Sequence, residues 1–521
     1  MPPMSLPRLK LVLFLLASLC VLAGGAYLRC ENIHGPVEET WHSLGLRQGI
    51  AARNHLRYGL GETCGLQYIN PGPGSSSDLL LYSNHPPLLA LILSGTFAVF
   101  GDSLPVFRGT LVFLSMLSVL TLMALAGRVY GPLAGLLSGV ILAFFPHGIF
   151  WATGGEALGE GINTFFLIGL WGRVAIRPNS PRAGLLLEYG GYAASALFDW
   201  VGFLAFGVPL LDAVISKRGR GAVLRSTLGL LVGVTLFVTI VLLTRMAEPA
   251  ESPDSGLGTV ATYWTVVGLT RDISRDPELV RHAAAAFIHT QVLPQSAVLL
   301  VALVAGVALL RFVPRFARSR YAPSGEGRFP LLLALFVVPA IFTLAMPKAM
   351  MMHAFSTVLF LPWFSAMCGS RLAWFASRSR VGALLCLLWV PVWIYEGAHL
   401  SEAAFERATR DSHTHEIARV GRSMSDEDDL FIFWQRDMRH AYGYLLNRNI
   451  VTDWRQPQIP PLAQRHRSGR PHSHIFYVLP PRPLAVRPWI PDAEKLYDAL
   501  EKTLANFPVV PVAGYRIYTL L

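Results

Sequence analysis

FRGTLVFLSMLSVLTLMALAGRVYGPLAGLLSGVILAFFPHGIFW, residues 107–151, is the stretch on which the fold turns. Between Arg108 and His147 its only charged side chain is Arg128. The two apolar runs, near 107–126 and 133–151, each approach the roughly 20 residues that carry a helix across a bilayer core. Between them, Arg128, Gly131 and Pro132 make a basic turn. Runs of this kind recur near 11–28, 158–175, 183–198, 200–215, 223–244, 291–311, 329–346, 354–369 and 381–398, giving about eleven candidate spans, several of them short. The whole chain of 521 residues is 53% hydrophobic and 15% charged. Its mean hydropathy is +0.44. A soluble chain of this length would carry about 25% charged residues, so the sequence specifies a multi-span α-helical membrane protein. A net charge of +11 would otherwise suggest nucleic acid. Here the bases sit in short clusters between apolar runs, as topology requires, and no nucleic-acid partner is expected.

Orientation follows from those clusters. With the N-terminus inside, the inner segments hold Arg8, Lys10, Arg128, Arg173, Arg177, Lys217, Arg218, Arg311, Arg315, Arg371 and Arg378, among others. The outer segments carry most of the acids of the membrane part. Residues 1–28 read as a signal anchor that remains as the first span, because the run Leu11–Leu28 is long and no small-x-small site follows it. Residues 29–106 form a first outer loop, with an amphipathic helix over 41–58 and a shallow, juxtamembrane helix over Pro86–Phe100. Residues 107–398 form the transmembrane helical domain, and 399–521 a small soluble α/β domain outside the cytoplasm. In that domain Leu430–Trp434, Ile450–Trp454, His474–Leu479 and Val509–Leu520 read as strands, Met438–Asn447 and Asp492–Leu504 as helices. Trp151, Trp171, Trp200, Trp363, Trp389 and Trp393 near span ends read as interfacial anchors. Cys30 and Cys64 share the first outer loop, where either a disulfide or two free thiols fits.

The loop holds an ordered series: Glu38-Glu39-Thr40-Trp41, Arg53-Asn54, His85-Pro86-Pro87-Leu88, Phe100-Gly101 and Arg108. Arg128 with Gly131, Pro146, the acidic stretch Glu156 to Glu160, and Asp199-Trp200 follow. This series resembles the dolichyl-phosphate-mannose protein mannosyltransferase family of the GT-C superfamily, which includes the lipid A aminoarabinose transferases. The resemblance is clearest from Tyr82 to about Thr244. It implies a GT-C fold and transfer of a sugar from a polyprenyl-phosphate donor to a lipid, glycan or protein acceptor at the outer face. The displacement would be metal-independent or weakly metal-assisted, so no cofactor is expected, with a divalent metal left open. It also implies catalytic roles for Glu38 or Glu39 and for Glu156 or Glu160. The family usually has Asp-Glu where this chain has Glu38-Glu39, so the reach of the first carboxylate differs.

The chemistry is consistent on its own terms. A sugar hydroxyl is a poor nucleophile that a carboxylate activates by taking its proton. The departing lipid phosphate needs basic partners, for which Arg53, His85, Arg271, Lys348 and His353 are the outer-face candidates. Plainer readings stand beside these. Glu38 and Glu39 fit solvated loop acids, and Glu156 and Glu160, four apart on one helix face, fit a membrane boundary. His85 fits a helix start with Pro86 in the first position, Asp199 a turn, and Lys348 a snorkelling cation. The competing functions are a catalytically inactive GT-C scaffold and a lipid or sugar transporter. The expected location is the inner cell membrane, among its lipids.

Overall fold

The computed structural model describes residues 6–37, 41–69, 72, 81–82, 85–154, 158–215, 219–247, 331–345, 358–378, 380–410, 412–433, 439–452, 473–482 and 493–520. The chain opens with α1 (Leu6–Cys30), then α2 (Trp41–Thr63) and the short α3 (Leu88–Phe100). The stretch quoted above becomes α4 (Leu104–Tyr130), α5 (Pro132–Ala143) and α6 (Pro146–Gly154). Ser103 caps α4, accepting from the Val106 amide, and Gly131, at φ 103°, lets the chain reverse in one residue before Pro132 starts α5. The expected single span over 133–151 is instead two helices bent by 59°. Pro146 lacks an amide hydrogen, so the helical ladder cannot run through it.

α7 (Leu158–Trp171) runs into a π-turn at Gly172–Ile176, and α8 (Pro181–Phe198) packs back along it. Gly169 and Gly191 allow the contact, since a side chain on Gly191 would strike the Gly169 backbone at 2.5 Å. The region 200–215, expected as one helix, is a 3₁₀ stretch at Trp200–Gly207 followed by α9 (Val208–Ile215). α10 (Arg220–Ala247), α11 (Leu331–Ala345), α12 (Leu361–Arg378) and α13 (Arg380–Thr409) complete the bundle. α4, α5, α7, α8 and α12 share one buried core, while α10 and α13 turn Leu228, Leu231, Leu384, Leu387 and Leu388 outward. Apolar side chains exposed in such continuous rows suit a lipid solvent.

Among the described residues five helices are long and apolar enough to cross a membrane, six if the bent pair counts as one. That is fewer than the sequence reading of about eleven. The 3₁₀ break divides one expected span, and 291–311 lies outside the described residues. α3, with 13 residues, is too short to span, in line with the shallow helix expected there. Trp151 and Trp393 are buried in the core, correcting their reading as interfacial anchors, and Trp393 Nε1 donates to the Ile141 carbonyl at 3.4 Å.

Charge is also buried in the bundle. Arg173 Nη1 meets Glu188 at 2.6 Å and its Nη2 meets Asp212, while Arg177 takes the other Glu188 oxygen at 2.9 Å. The cluster bolts the π-turn to α8 and α9. Removing one partner of such a buried set costs about 3–5 kcal/mol, because the other charge stays desolvated.

After α13 come α14 (Thr414–Ser423), β1 (Leu430–Phe433), α15 (Arg439–Leu446), β2 (Asn449–Thr452), β3 (Ile475–Leu479), α16 (Ala493–Leu504), β4 (Val509–Val512) and β5 (Tyr515–Thr519). The five strands lie in the order β2-β1-β3-β5-β4; β1 is parallel to β2 and β3, and β5 antiparallel to β3 and β4. Alternation decides the two faces: Phe431, Phe433, Phe476 and Val478 pack on α14 and α15, Leu430, Ile432, Tyr477 and Leu479 on α16. Val509–Leu520, read as one strand, is a hairpin that turns at Ala513-Gly514, both with positive φ.

Candidate active site

The segment leading to the acidic pair is held from three helices. Arg108, 1% exposed, rises from α4 and donates to the carbonyls of Asn32 (2.9 Å), Gly35 (2.6 Å) and Pro36 (2.9 Å). Phe405 of α13 packs on Gly35. Ser412 Oγ and Thr414 Oγ1 donate to the Val37 carbonyl at 2.5 and 3.3 Å. Glu38 and Glu39 lie outside the described residues; Val37 before them is buried and α2 begins at Trp41 after them.

α2 is the amphipathic helix expected there, but its apolar side packs on protein. Leu46, Ile50 and Ala51 are buried, and the helix is seated between α3 and α15. Gly59, at φ 84°, breaks its last turn. Arg53, expected to meet a lipid phosphate, has its guanidinium engaged by Asp102, by the Tyr444 carbonyl at 3.1 Å and by Asn447 Oδ1 at 3.1 Å. Arg57 reaches the same Asn447 oxygen at 2.9 Å, and Tyr444 donates its hydroxyl to Asp102 at 3.0 Å. Burial next to the Asp102 carboxylate pushes the Tyr444 phenol well above its usual value.

His85 departs from the helix-start reading. α3 begins at Leu88 after Pro87, with no side-chain cap, and His85 Nδ1 instead pairs with Asp199 Oδ2 at 2.6 Å. Gln67 Nε2 holds the backbone there, donating to the carbonyls of His85 (2.9 Å) and Pro86 (2.6 Å). The Tyr82 ring lies 5.8 Å from the imidazole, and the Arg47 guanidinium lies over the Tyr82 ring at 4.5 Å from its centroid. Asp199 keeps a turn role as well, its Oδ1 accepting from the Val201 amide at 3.1 Å to start the 3₁₀ stretch.

Glu160 is 3% exposed, its carboxylate beside Ser115 and the Arg29 guanidinium. Arg29, 1% exposed, donates through Nε to Ser115 Oγ at 3.0 Å and through Nη1 to the Ala143 carbonyl at 2.6 Å, at the α5–α6 bend. A Cβ placed on Gly148 would lie 3.5 Å from both Arg29 Nη2 and Glu160 Oε1, which fixes how closely the two converge. Glu160 is therefore enclosed. Glu156, expected to share a helix face with Glu160, lies outside the described residues, as do Arg271, Lys348 and His353. Cys30 and Cys64 are free thiols, and no cluster of three metal-ligating side chains occurs among the described residues.

Arg29, Asp102, Ser412 and Tyr444 escaped the sequence reading. Only Arg29 left a signal there, as a cation at the end of the first span opposite Arg8 and Lys10.

The apolar bundle, the buttressed first loop and the terminal α/β unit together form a GT-C-like fold. The chain is similar in structure to ArnT from Cupriavidus metallidurans bound to undecaprenyl phosphate, at 14% identity and TM-score 0.61 over 98% of each chain. It is also similar to the Archaeoglobus fulgidus oligosaccharyltransferase in complex with zinc and sulfate, at 13% identity and TM-score 0.56. That match covers 88% of this chain and 67% of the other. No family model matches the chain, and no curated protein matches it by sequence. The likeness at this identity is one of fold.

Proposed function

We propose that the chain is a membrane glycosyltransferase that moves a sugar from a polyprenyl-phosphate donor to an acceptor at the outer face of the membrane. The observation that carries this reading is the end-to-end fold likeness to a protein bound to undecaprenyl phosphate. The ordered loop motifs support it. Glu38 or Glu39 takes the proton of the acceptor hydroxyl as its oxygen bonds to the anomeric carbon and the bond to the donor phosphate breaks, with Glu156 as the second acid. His85, Arg271, Lys348 and His353 stabilise the departing phosphate. Arg53 and Glu160, committed to protein partners, support the site from behind it. The displacement is metal-independent or weakly metal-assisted. The terminal α/β unit, whose helix α15 packs on α2 of the first loop, selects the acceptor.

The test is transfer from a panel of radiolabelled polyprenyl-phosphate sugars to native membrane extract by wild type, Glu38→Gln and Glu39→Gln. Loss of the catalytic base lowers transfer by roughly a hundredfold or more in one variant. Donor binding without transfer by wild type would instead favour the inactive scaffold.

A further inference from the structure

We infer that Asp199 is a positioning residue for the lipid-phosphate donor, acting through His85; the inference rests on the proposed function. The two residues come from distant parts of the chain, the first loop and the turn between α8 and the 3₁₀ stretch, yet their side chains meet at 2.6 Å. The carboxylate divides its work: Oδ1 accepts from the Val201 amide and Oδ2 takes His85 Nδ1. Asp199 is 8% exposed, so its orientation is set by packing as well as by these bonds.

Imidazole has two polar atoms. With Nδ1 held by a carboxylate, the ring is locked in rotation and Nε2 is the atom left to meet a ligand. Among the described residues Nε2 makes no hydrogen bond, while the His85 side chain keeps 22% of its surface open. Gln67 fixes the backbone that follows the ring, at the His85 and Pro86 carbonyls. A histidine fastened at its backbone and at one ring nitrogen presents Nε2 in a fixed direction, from which a ring carrying both hydrogens donates to a phosphate oxygen. Asp199 does not touch the donor; it decides where the histidine points.

The experiment is a double-mutant cycle read as affinity for undecaprenyl phosphate, with the full-length protein in nanodiscs. Asp199→Asn suits it because the amide oxygen keeps the cap on Val201 while the amide nitrogen cannot accept from Nδ1. Asp199→Asn and His85→Gln should each weaken binding by roughly tenfold, the worth of one charge-assisted hydrogen bond. Asp199→Asn should add almost nothing in the His85→Gln background, since it acts through the ring. Unchanged affinity in Asp199→Asn, or a full additional loss in the double variant, overturns the inference. A ¹⁵N spectrum of the histidines tests the pairing without any ligand, through a changed His85 Nδ1 signal in Asp199→Asn. If wild type bound no undecaprenyl phosphate, the proposed donor class would fall, and an unaltered Nδ1 signal would remove the positioning role as well.

Discussion

Arg53 holds Tyr444 twice: its guanidinium lies 4.6 Å from the ring centroid and donates to the same residue's carbonyl at 3.1 Å. One side chain of α2 thereby grips α15, and Asp102, which meets both Arg53 and the Tyr444 hydroxyl, locks the grip from the α3–α4 junction. Three separate parts of the chain converge on one set of charge-assisted hydrogen bonds.

Arg53→Ala should loosen the terminal unit from the membrane bundle, at a cost of about 1–3 kcal/mol for the lost bonds and the uncompensated Asp102. Limited proteolysis should then release the 405–521 fragment faster than in wild type. Arg53→Lys should rescue only in part, since an ammonium cannot make the forked, stacked contact. Cleavage at the wild-type rate in Arg53→Ala would show that the clasp carries no mechanical load.

Arg108 is a stronger case, since it is buried and spends its donors on backbone carbonyls of residues 32–36. Arg108→Met fills the volume but removes the guanidinium donors of the Gly35 and Pro36 carbonyls. The expected loss is about 3–5 kcal/mol, visible as a lower thermal midpoint in detergent. Transfer activity at a permissive temperature should fall further than the folded fraction does, because the same carbonyls fix the approach to Glu38. A variant with the wild-type midpoint would mean that water replaces the guanidinium at no cost.

Glu160 and Arg29 should behave as one unit around Ser115. Glu160→Gln removes the carboxylate charge facing a desolvated guanidinium and should cost about 1–3 kcal/mol. Combining it with Arg29→Met should cost less than the sum of the two single changes, because the buried cation that Glu160 compensates is then gone. Strict additivity of thermal midpoints would separate the two residues.

The helical character of the chain, the short α3, the amphipathic α2 and the strands of the terminal sheet were legible because period and composition encode them locally. Pro86–Phe100 read as too shallow to span, and the short apolar β-type runs at Leu430–Phe433 and Ile475–Leu479 marked strands. What escaped was long-range. Nothing near His85 in the sequence signals a partner 114 positions away, and Pro86 beside it favoured the helix-start reading. Arg53 looked like a free outer cation because its acceptors, Asp102 and the Tyr444 carbonyl, are assembled only by the fold. The 59° bend after Ala143 was marked by Pro146, yet the apolar run continues through it and hydropathy cannot register a change of direction.

His55 gives the chain a specific acid sensitivity. Its Nδ1 lies 2.8 Å from Thr63 Oγ1, and that hydroxyl already donates to the Gly59 carbonyl at 3.0 Å. Nδ1 must therefore carry the hydrogen, which leaves Nε2 as a buried lone pair with no partner among the described residues. Burial lowers the imidazole from 6.5 to about 4. Between those values the unfolded chain binds a proton that the folded chain refuses, so stability rises with pH across the window. The contribution is complete above the unfolded value and is lost as pH falls toward 4. Its size is roughly 1–2 kcal/mol. His55→Gln should flatten the fall in thermal midpoint between neutral pH and pH 5 relative to wild type, while retaining a donor for Thr63. Parallel acid profiles for the two proteins would place the acid-labile group elsewhere.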